Sequence, residues 1–559
     1  GHGPCHAVGV VPGHRVAIFS RNRPEWLVTD VAILMAGAVS VPLPSTGSIY
    51  ARRRMLHETR PRVVFVGAAA DLVRLRESWP KLESCNHIVA FETPEEGLES
   101  MGPVDAGCRL LAWQDALVRG RALMERGDGL RPTDSGRSPG DAATLIYSAG
   151  RTGPPRGSLL SHQGLVSKVY ALRDVVVLPR SAVQFLALPL DSMFGRLLAW
   201  AAIDQGATTW LSTPRTPLGP QLAEARPHFL AGVPRTFEQL GSHILTRREG
   251  AVGVPGRTTL VMAERFLGAG VASKGRRSLL GLDLRLARSL FQTRVRHLLG
   301  GRVRHLVCGG GALDAGVERL FQFGGIPVLQ GYGSNETIGA ATANRPDDNR
   351  PGSVGRALSD VEIRVSPAGE VLFRGPGLFM GYLRSFTPGG GVEVDPARDP
   401  EGWFHSRDLG LMEEGYLYLT GRQQDILRLS SGRLVAASMI ETALCALPFV
   451  KHAVLCGDNR PHLSALFWLS AGAGEHQLPG SRTEGGEGAA ELEDPDALLR
   501  QALQRVNQSL ERHEQIRVFR RVEDHLTSER GELSTNGEAV RSVIFQRYRD
   551  IIDSMYTER

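Results

Sequence analysis

The feature that most constrains this chain is the alternation, along its first 350 or so residues, of short apolar runs with stretches of helical periodicity. Arg15-Val-Ala-Ile-Phe19 reads as a buried strand, and Glu25 to Gly37 then carries apolar residues at helical spacing. Val39-Ser-Val-Pro-Leu43, Val63 to Val66 and Ile88-Val-Ala-Phe91 repeat the strand signal, as do Thr144 to Tyr147, Phe185 to Leu190, Ala207 to Leu211, His228 to Gly232 and Val303 to Val307. Strands alternating with helices predict an α/β layer with largely parallel sheets. Arg257 to Leu299 predicts a helical hairpin rich in Arg and Leu. From Val361 the period changes to two: Val361 to Val365, Glu370 to Phe373 and Gly415 to Leu419 alternate like antiparallel strands.

A chain of 559 residues exceeds one ordinary core. We expect a large N-terminal domain, residues 1–420, made of α/β subdomains with a small antiparallel barrel-like part. A smaller, mobile α+β domain, residues 421–559, follows. Within it, Ser438 to Leu447 and Pro495 to Glu511 predict helices, and Lys451 to Leu455 and His462 to Leu469 predict strands. The Gly- and Glu-rich stretch near 471–494 reads as a flexible insertion.

Composition removes several function classes. Hydrophobic residues make up 42% and charged residues 22%, which argues against a disordered chain. The net charge of +6 is spread out, with no Lys/Arg run interleaved with aromatics, so no nucleic-acid partner is expected. The six cysteines show neither CxxC nor zinc spacing, which fits a reduced, cytoplasmic protein. No stretch approaches the roughly 20 apolar residues needed to span a bilayer, and peripheral membrane contact stays open.

The segment that carries chemistry is Tyr147-Ser148-Ala149-Gly150-Arg151-Thr152-Gly153-Pro154-Pro155-Arg156-Gly157. It leaves a strand and combines glycines, hydroxyls and basic side chains, the ingredients of a loop that lets backbone amides approach a phosphate. It lacks the Walker pattern. Taken alone, it reads equally as an ordinary Gly/Pro turn.

In context it resembles the phosphate loop of adenylate-forming enzymes, Y-T-S-G-T-T-G-x-P-K-G. Further segments follow in that family's order. Cys308-Gly309-Gly310-Gly311-Ala312 resembles the adenine-side loop, Gly331-Tyr332-Gly333-Ser334-Asn335-Glu336 the G-Y-G-x-T-E loop, Gly402 to Leu409 the G-W-F-H-T-G-D-L segment, and Thr420-Gly421-Arg422-Gln423-Gln424-Asp425 the hinge. Leu188 to Phe194, Gly232 to Arg235 and the tail Gln546 to Tyr556 are similar to the long-chain fatty acid–CoA ligase branch.

The resemblance implies activation of a fatty acid by ATP through acyl-AMP, then transfer to coenzyme A or to a carrier-protein pantetheine. By the same resemblance, Ser148, Gly150, Arg151, Thr152, Gly153, Arg156, Gly310, Gly311, Tyr332, Gly333, Asn335, Asp408 and Arg422 would bind ATP or AMP. Glu336 would hold Mg²⁺, Gln424 would mark the hinge, and Ser192 would stand on the acyl or active-site wall. The chain also departs from the pattern. Arg151 replaces a threonine, Arg156 a lysine, Asn335 a threonine, Ser192 a histidine and Arg407 a glycine, and Gly195 stands where glutamate is frequent. At the position of the family's C-terminal catalytic lysine stands Glu538; the four lysines are Lys81, Lys168, Lys274 and Lys451, so none follows Lys451. Arg541 is the candidate substitute cation. These departures leave four alternatives to a fully competent ligase: an impaired ligase, an inactive acyl- or nucleotide-binding homologue, an enzyme of the thioester half-reaction alone, and transfer to a carrier protein.

Overall fold

The computed structural model describes residues 5–45 apart from 6, 49–79, 84–93, 108–126, 137–148, 156–213, 216–246, 280–387, 391–470 apart from 446 and 448, 494–533 apart from 509, and 538–557. The insertion near 471–494, up to 493, and the first half of the expected helical hairpin lie outside them.

Two mainly parallel sheets form the bulk of the molecule. The first has nine strands in the order 392–395, 381–386, 157–161, 142–147, 39–42, 15–19, 63–66, 87–90, 109–112. Its strands from 142–147 onward are parallel, and the 157–161, 381–386 and 392–395 strands add on antiparallel. Val63–Val66 is buried at every position, the mark of a strand covered on both faces. The second sheet runs 356–357, 342–343, 328–332, 305–308, 229–232, 183–186, 208–211.

The largest core lies between these sheets and joins Trp26, Leu160, Leu186, Leu197 and Leu329. The helix Met193–Gln205 lies within this layer and is buried at every position from Met193 to Ala202 except Phe194, which is only partly covered. Such a helix is apolar on all sides, with one exception. Arg196 is fully buried, its Nε donating to Asp30 Oδ2 at 2.7 Å and its Nη1 to Thr144 Oγ1 at 2.6 Å. Asp30 also accepts from Ser40 Oγ at 2.7 Å, and Trp200 covers the guanidinium at 4.5 Å. One buried network therefore ties the helix to strands 39–42 and 142–147 of the first sheet. A second buried pair, Lys168 with Asp360 at 2.9 Å, ties helix His162–Arg173 to the segment entering the antiparallel part.

That part is a four-stranded antiparallel sheet, ordered 362–365, 370–374, 404–413, 416–422. Its last strand runs past the expected Leu419 to Arg422, because Gly421 and Arg422 pair with Leu409 and Asp408. The chain leaves it through the 3-10 turn Gln423–Asp425. The C-terminal part has strands Val450–Cys456, Leu463–Leu469 and Ile516–Arg521, with helices Ala437–Cys445 and Pro495–Gln508 packed on one core. A second core against the same sheet includes Trp468, Ile544, Tyr548 and Met555 from the tail. Among the described residues no helix is long and apolar enough to cross a membrane.

Candidate active site

Strand ends from the two mainly parallel sheets and the four-stranded antiparallel sheet bring their loops together. Strand Ala142–Tyr147 ends at Ser148, whose N–H donates to the Arg156 carbonyl at 3.0 Å, so the phosphate-type loop is a hairpin connection pinched at its base. Gly150, Arg151, Thr152 and Gly153 lie outside the described residues. Past the loop, the Arg156 guanidinium sits 3.6 Å from the Tyr382 ring centre, and the Tyr382 hydroxyl donates to Glu336 Oε1 at 2.9 Å. Burial, then the Glu336 carboxylate, pushes the Tyr382 hydroxyl well above its ordinary pKa. Ser158 Oγ reaches the same Glu336 oxygen at 3.5 Å.

Strand His305–Cys308 delivers Gly309, Gly310 and Gly311, with Gly310 in the left-handed region at φ 81°. Strand Val328–Tyr332 delivers Gly333, where a Cβ would fall 2.5 Å from Ala340 Cα; no side chain fits there. Asn335 follows on the turn whose carbonyl accepts from Ile338 at 3.1 Å. The Tyr332 hydroxyl donates to Asp408 Oδ2, and its ring stacks on Phe373 at 5.9 Å. Asp408 Oδ1 pairs with Arg422 Nε at 2.9 Å. Burial raises the Asp408 carboxyl above the usual range, against the opposing pull of Arg422.

Glu538 is brought here across the domain boundary. Its Oε1 lies 3.6 Å from where a Cβ on Gly311 would stand, and its charge, after that of Asp408, helps hold Arg422 protonated.

Behind the glycine loops lies an apolar cavity. Its lining includes Gly309, Gly310, Gly331 and Tyr332 together with Phe194, Leu198, Ala201, Leu172, Val176 and Phe229, and Gln184, Gln205 and Thr342 are among its polar members. Gln184 is engaged with the Leu198 carbonyl at 3.3 Å, and Gln205 accepts from the Leu178 N–H at 2.6 Å.

Residues 6–383 match the family model described as AMP-binding enzyme, and residues 424–559 match that of the AMP-binding enzyme C-terminal domain. The chain belongs to the AMP-binding enzyme family. Its relatives include the long-chain-fatty-acid–CoA ligase FadD15 of Mycobacterium bovis, 29% identical over 99% of this chain and 89% of the relative. The human long-chain-fatty-acid–CoA ligase ACSBG2 is 27% identical over 98% of this chain and 85% of its own. In fold, the chain is similar to the adenylation domain of a carboxylate reductase from Mycobacterium chelonae, with a TM-score of 0.76 at 21% identity, covering 100% of this chain and 82% of that one.

Set in this family, the remaining candidates divide. Ser192 caps helix Met193–Gln205: its Oγ accepts from Gly195 N–H at 3.2 Å and donates to the Pro189 carbonyl at 2.7 Å. A Cβ on Gly195 would fall 2.3 Å from that carbonyl, so this backbone has no room for the bulkier residue. Arg541 is engaged within the C-terminal part: its Nη2 grips both oxygens of Glu441, at 2.9 and 2.8 Å, and its Nη1 donates to the Leu455 carbonyl at 3.1 Å. Gln424 is the middle residue of the 3-10 turn, and its side chain lies outside the description. Sequence reasoning missed Tyr382 and the cavity lining. The recurrence of Phe194 and Leu198 at helical spacing just past Ser192 is a signal that could have found part of that lining.

Proposed function

We propose that this chain joins a long-chain fatty acid to AMP and then passes the acyl group to a thiol, coenzyme A being the preferred acceptor. The observation that carries this reading is the meeting of the nucleotide-type loops at the Asp408–Arg422 pair, with a small apolar cavity lined in part by Gly309, Gly310, Gly331 and Tyr332 behind them, which would have to widen to take a long chain. An apolar chain in that cavity would bring its carboxylate to the nucleotide loops. The carboxylate oxygen would then attack the α-phosphorus of ATP with loss of pyrophosphate, and the thiol would later displace AMP at the acyl carbon.

The chain's own residues position and neutralise charge. Asp408, oriented by the Tyr332 hydroxyl and Arg422, would accept from ribose hydroxyls. Gly310, Gly311 and Gly333 would let the purine lie close to the backbone, and Ser148, Arg156 and Asn335, with the loop 149–155, would hold phosphate oxygens. Among the described residues no cluster of three or more His, Cys, Asp or Glu suits a metal ion. Glu336 nevertheless fits Mg²⁺, a hard cation that commonly takes one or two protein carboxylates and fills the rest of its shell with water and phosphate oxygens. When bound, Mg²⁺ would offset triphosphate charge. Pyrophosphate exchange into ATP, dependent on added acid and tested from medium to very long chains, is the experiment; exchange with none of them would reject the adenylating reading.

A second reading has its own observation. Glu538 lies beside Gly311 with its charge near Arg422, so it would set a carboxylate where two anionic reactants must meet. That favours a weakened first half-reaction, an enzyme of the thioester half alone, or a binding homologue. Transfer to a carrier-protein thiol is a further alternative; a solved neighbour, a carboxylic acid reductase didomain with its carrier module, has a TM-score of 0.74.

A further inference from the structure

Arg407 stands in the left-handed region at φ 61°, where a side chain is strained and glycine is at ease. The surroundings hold it there. Its N–H donates to Glu370 Oε1 at 3.0 Å, while the other Glu370 oxygen is 3.0 Å from His405 Nδ1. On its far side, Asp408 N–H donates to Ser406 Oγ at 3.0 Å. Non-glycine residues kept in this region are strained and cluster where a site needs them.

Its location gives the strain a use. Arg407 directly precedes Asp408, and its side chain is exposed; among the described residues no ion pair involves it. Its strand is joined to Tyr382 through ring contacts, Phe404 to Phe379 at 5.3 Å and Phe379 to Tyr382 at 4.9 Å. The positive charges of both Arg156 and Arg407 act on the Tyr382 hydroxyl, the group bonded to Glu336. The Arg156 guanidinium thus lies over Tyr382, beside Glu336, and the charge of the exposed Arg407, next in the chain to Asp408, reaches the same hydroxyl, while the C-terminal domain contributes the carboxylate of Glu538.

We propose that Arg407 binds the β- and γ-phosphates of ATP together with Arg156, so that the cation this site needs comes from the large domain. The inference rests on the nucleotide-binding reading above. An exposed guanidinium supplies a planar fork that fits phosphate oxygens, and a charge-assisted contact of this kind is worth about tenfold or more in affinity.

The test is Arg407→Gly beside Arg407→Lys, with ATP and AMP affinity measured by titration calorimetry in Mg²⁺ and thermal unfolding followed in parallel. Relief of strain should raise the unfolding temperature of Arg407→Gly by about 1–2 °C, while its Kd for ATP rises about tenfold or more and its Kd for AMP changes by less than about threefold. Arg407→Lys should keep part of the ATP affinity without the gain in stability. A purely structural residue would not move stability and ATP affinity in opposite directions. An Arg407→Gly protein that binds ATP within about twofold of the parent overturns the assignment and leaves the nucleotide site standing. A parent that binds neither nucleotide overturns both.

Discussion

On the proposed reading, a few side chains around Asp408 decide whether a nucleotide is held. Its carboxylate takes the Tyr332 hydroxyl on one oxygen and Arg422 on the other, and burial pushes its pKa up. Tyr332→Phe removes one donor to a buried carboxylate, which should cost about 1–3 kcal/mol of stability and raise the Asp408 pKa further. AMP affinity should fall with it; unchanged AMP affinity in a titration would show that Asp408 does not need the hydroxyl. Glu538 poses the complementary case. Replacing it with lysine restores a cation beside Gly311, and loss or gain of one such stabilising group is worth roughly 10²–10³ in rate. Glu538→Lys should therefore raise acid-dependent pyrophosphate exchange by about 100-fold, and an exchange rate equal to the parent's would show that the carboxylate is no obstacle. Of these residues, Glu538 was legible because the chain has no lysine after Lys451. Tyr382 was not, since nothing in Gly381-Tyr382-Leu383 announces that its hydroxyl meets Glu336, 46 residues away.

At the scale of elements, the helix Met193–Gln205 links the strand of the phosphate-type loop to the apolar cavity. One of its residues, Arg196, is locked to Asp30 and Thr144, and Thr144 lies on the strand that launches the phosphate-type loop. Others, Phe194, Leu198 and Ala201, wall the apolar cavity. Arg196→Met would leave Asp30 buried without its counter-charge, at about 3–5 kcal/mol; adding Asp30→Leu should recover much of that loss, and urea unfolding of the parent and the two variants reads it directly. Leu198→Trp should shorten the preferred acid in pyrophosphate exchange without weakening ATP binding, whereas an unchanged chain-length profile would remove the cavity from the acyl site. The apolar runs made the parallel strands readable, because burial on both faces writes continuous Val, Ile and Leu. The strands Gly381–Phe386 and Val392–Asp395 stayed hidden, since most of their side chains are only partly buried and their place in the sheet depends on Gly381–Phe386 pairing with strand Gly157–Ser161, far away in the sequence.

For the whole molecule, the question is what holds the C-terminal part against the large one. His452 on strand Val450–Cys456 is buried, and its pKa is lowered to about 4, first by burial and then by Arg235 of the large domain and by Lys451. The folded protein thus prefers the neutral ring, while the unfolded chain takes up a proton near the ordinary value of 6.5. Stability from this group is complete above that pH, falls as pH drops from about 6.5 to about 4, and is flat below; the loss is on the order of 3 kcal/mol. Because Arg235 belongs to helix Pro234–Thr246, which starts beside Gly311 and hence near Glu538, a charged His452 would push on the same boundary that carries Glu538 to the site. His452→Gln should abolish this part of the acid sensitivity. The measurement is the difference in urea midpoint between parent and variant at neutral pH and near pH 4.5, in which the other titrating groups, such as His405 with its oppositely raised pKa, cancel. A difference that does not shift in the variant's favour on acidification would mean that His452 takes up its proton in the folded protein without cost, and that the boundary at Arg235 yields to a second positive charge.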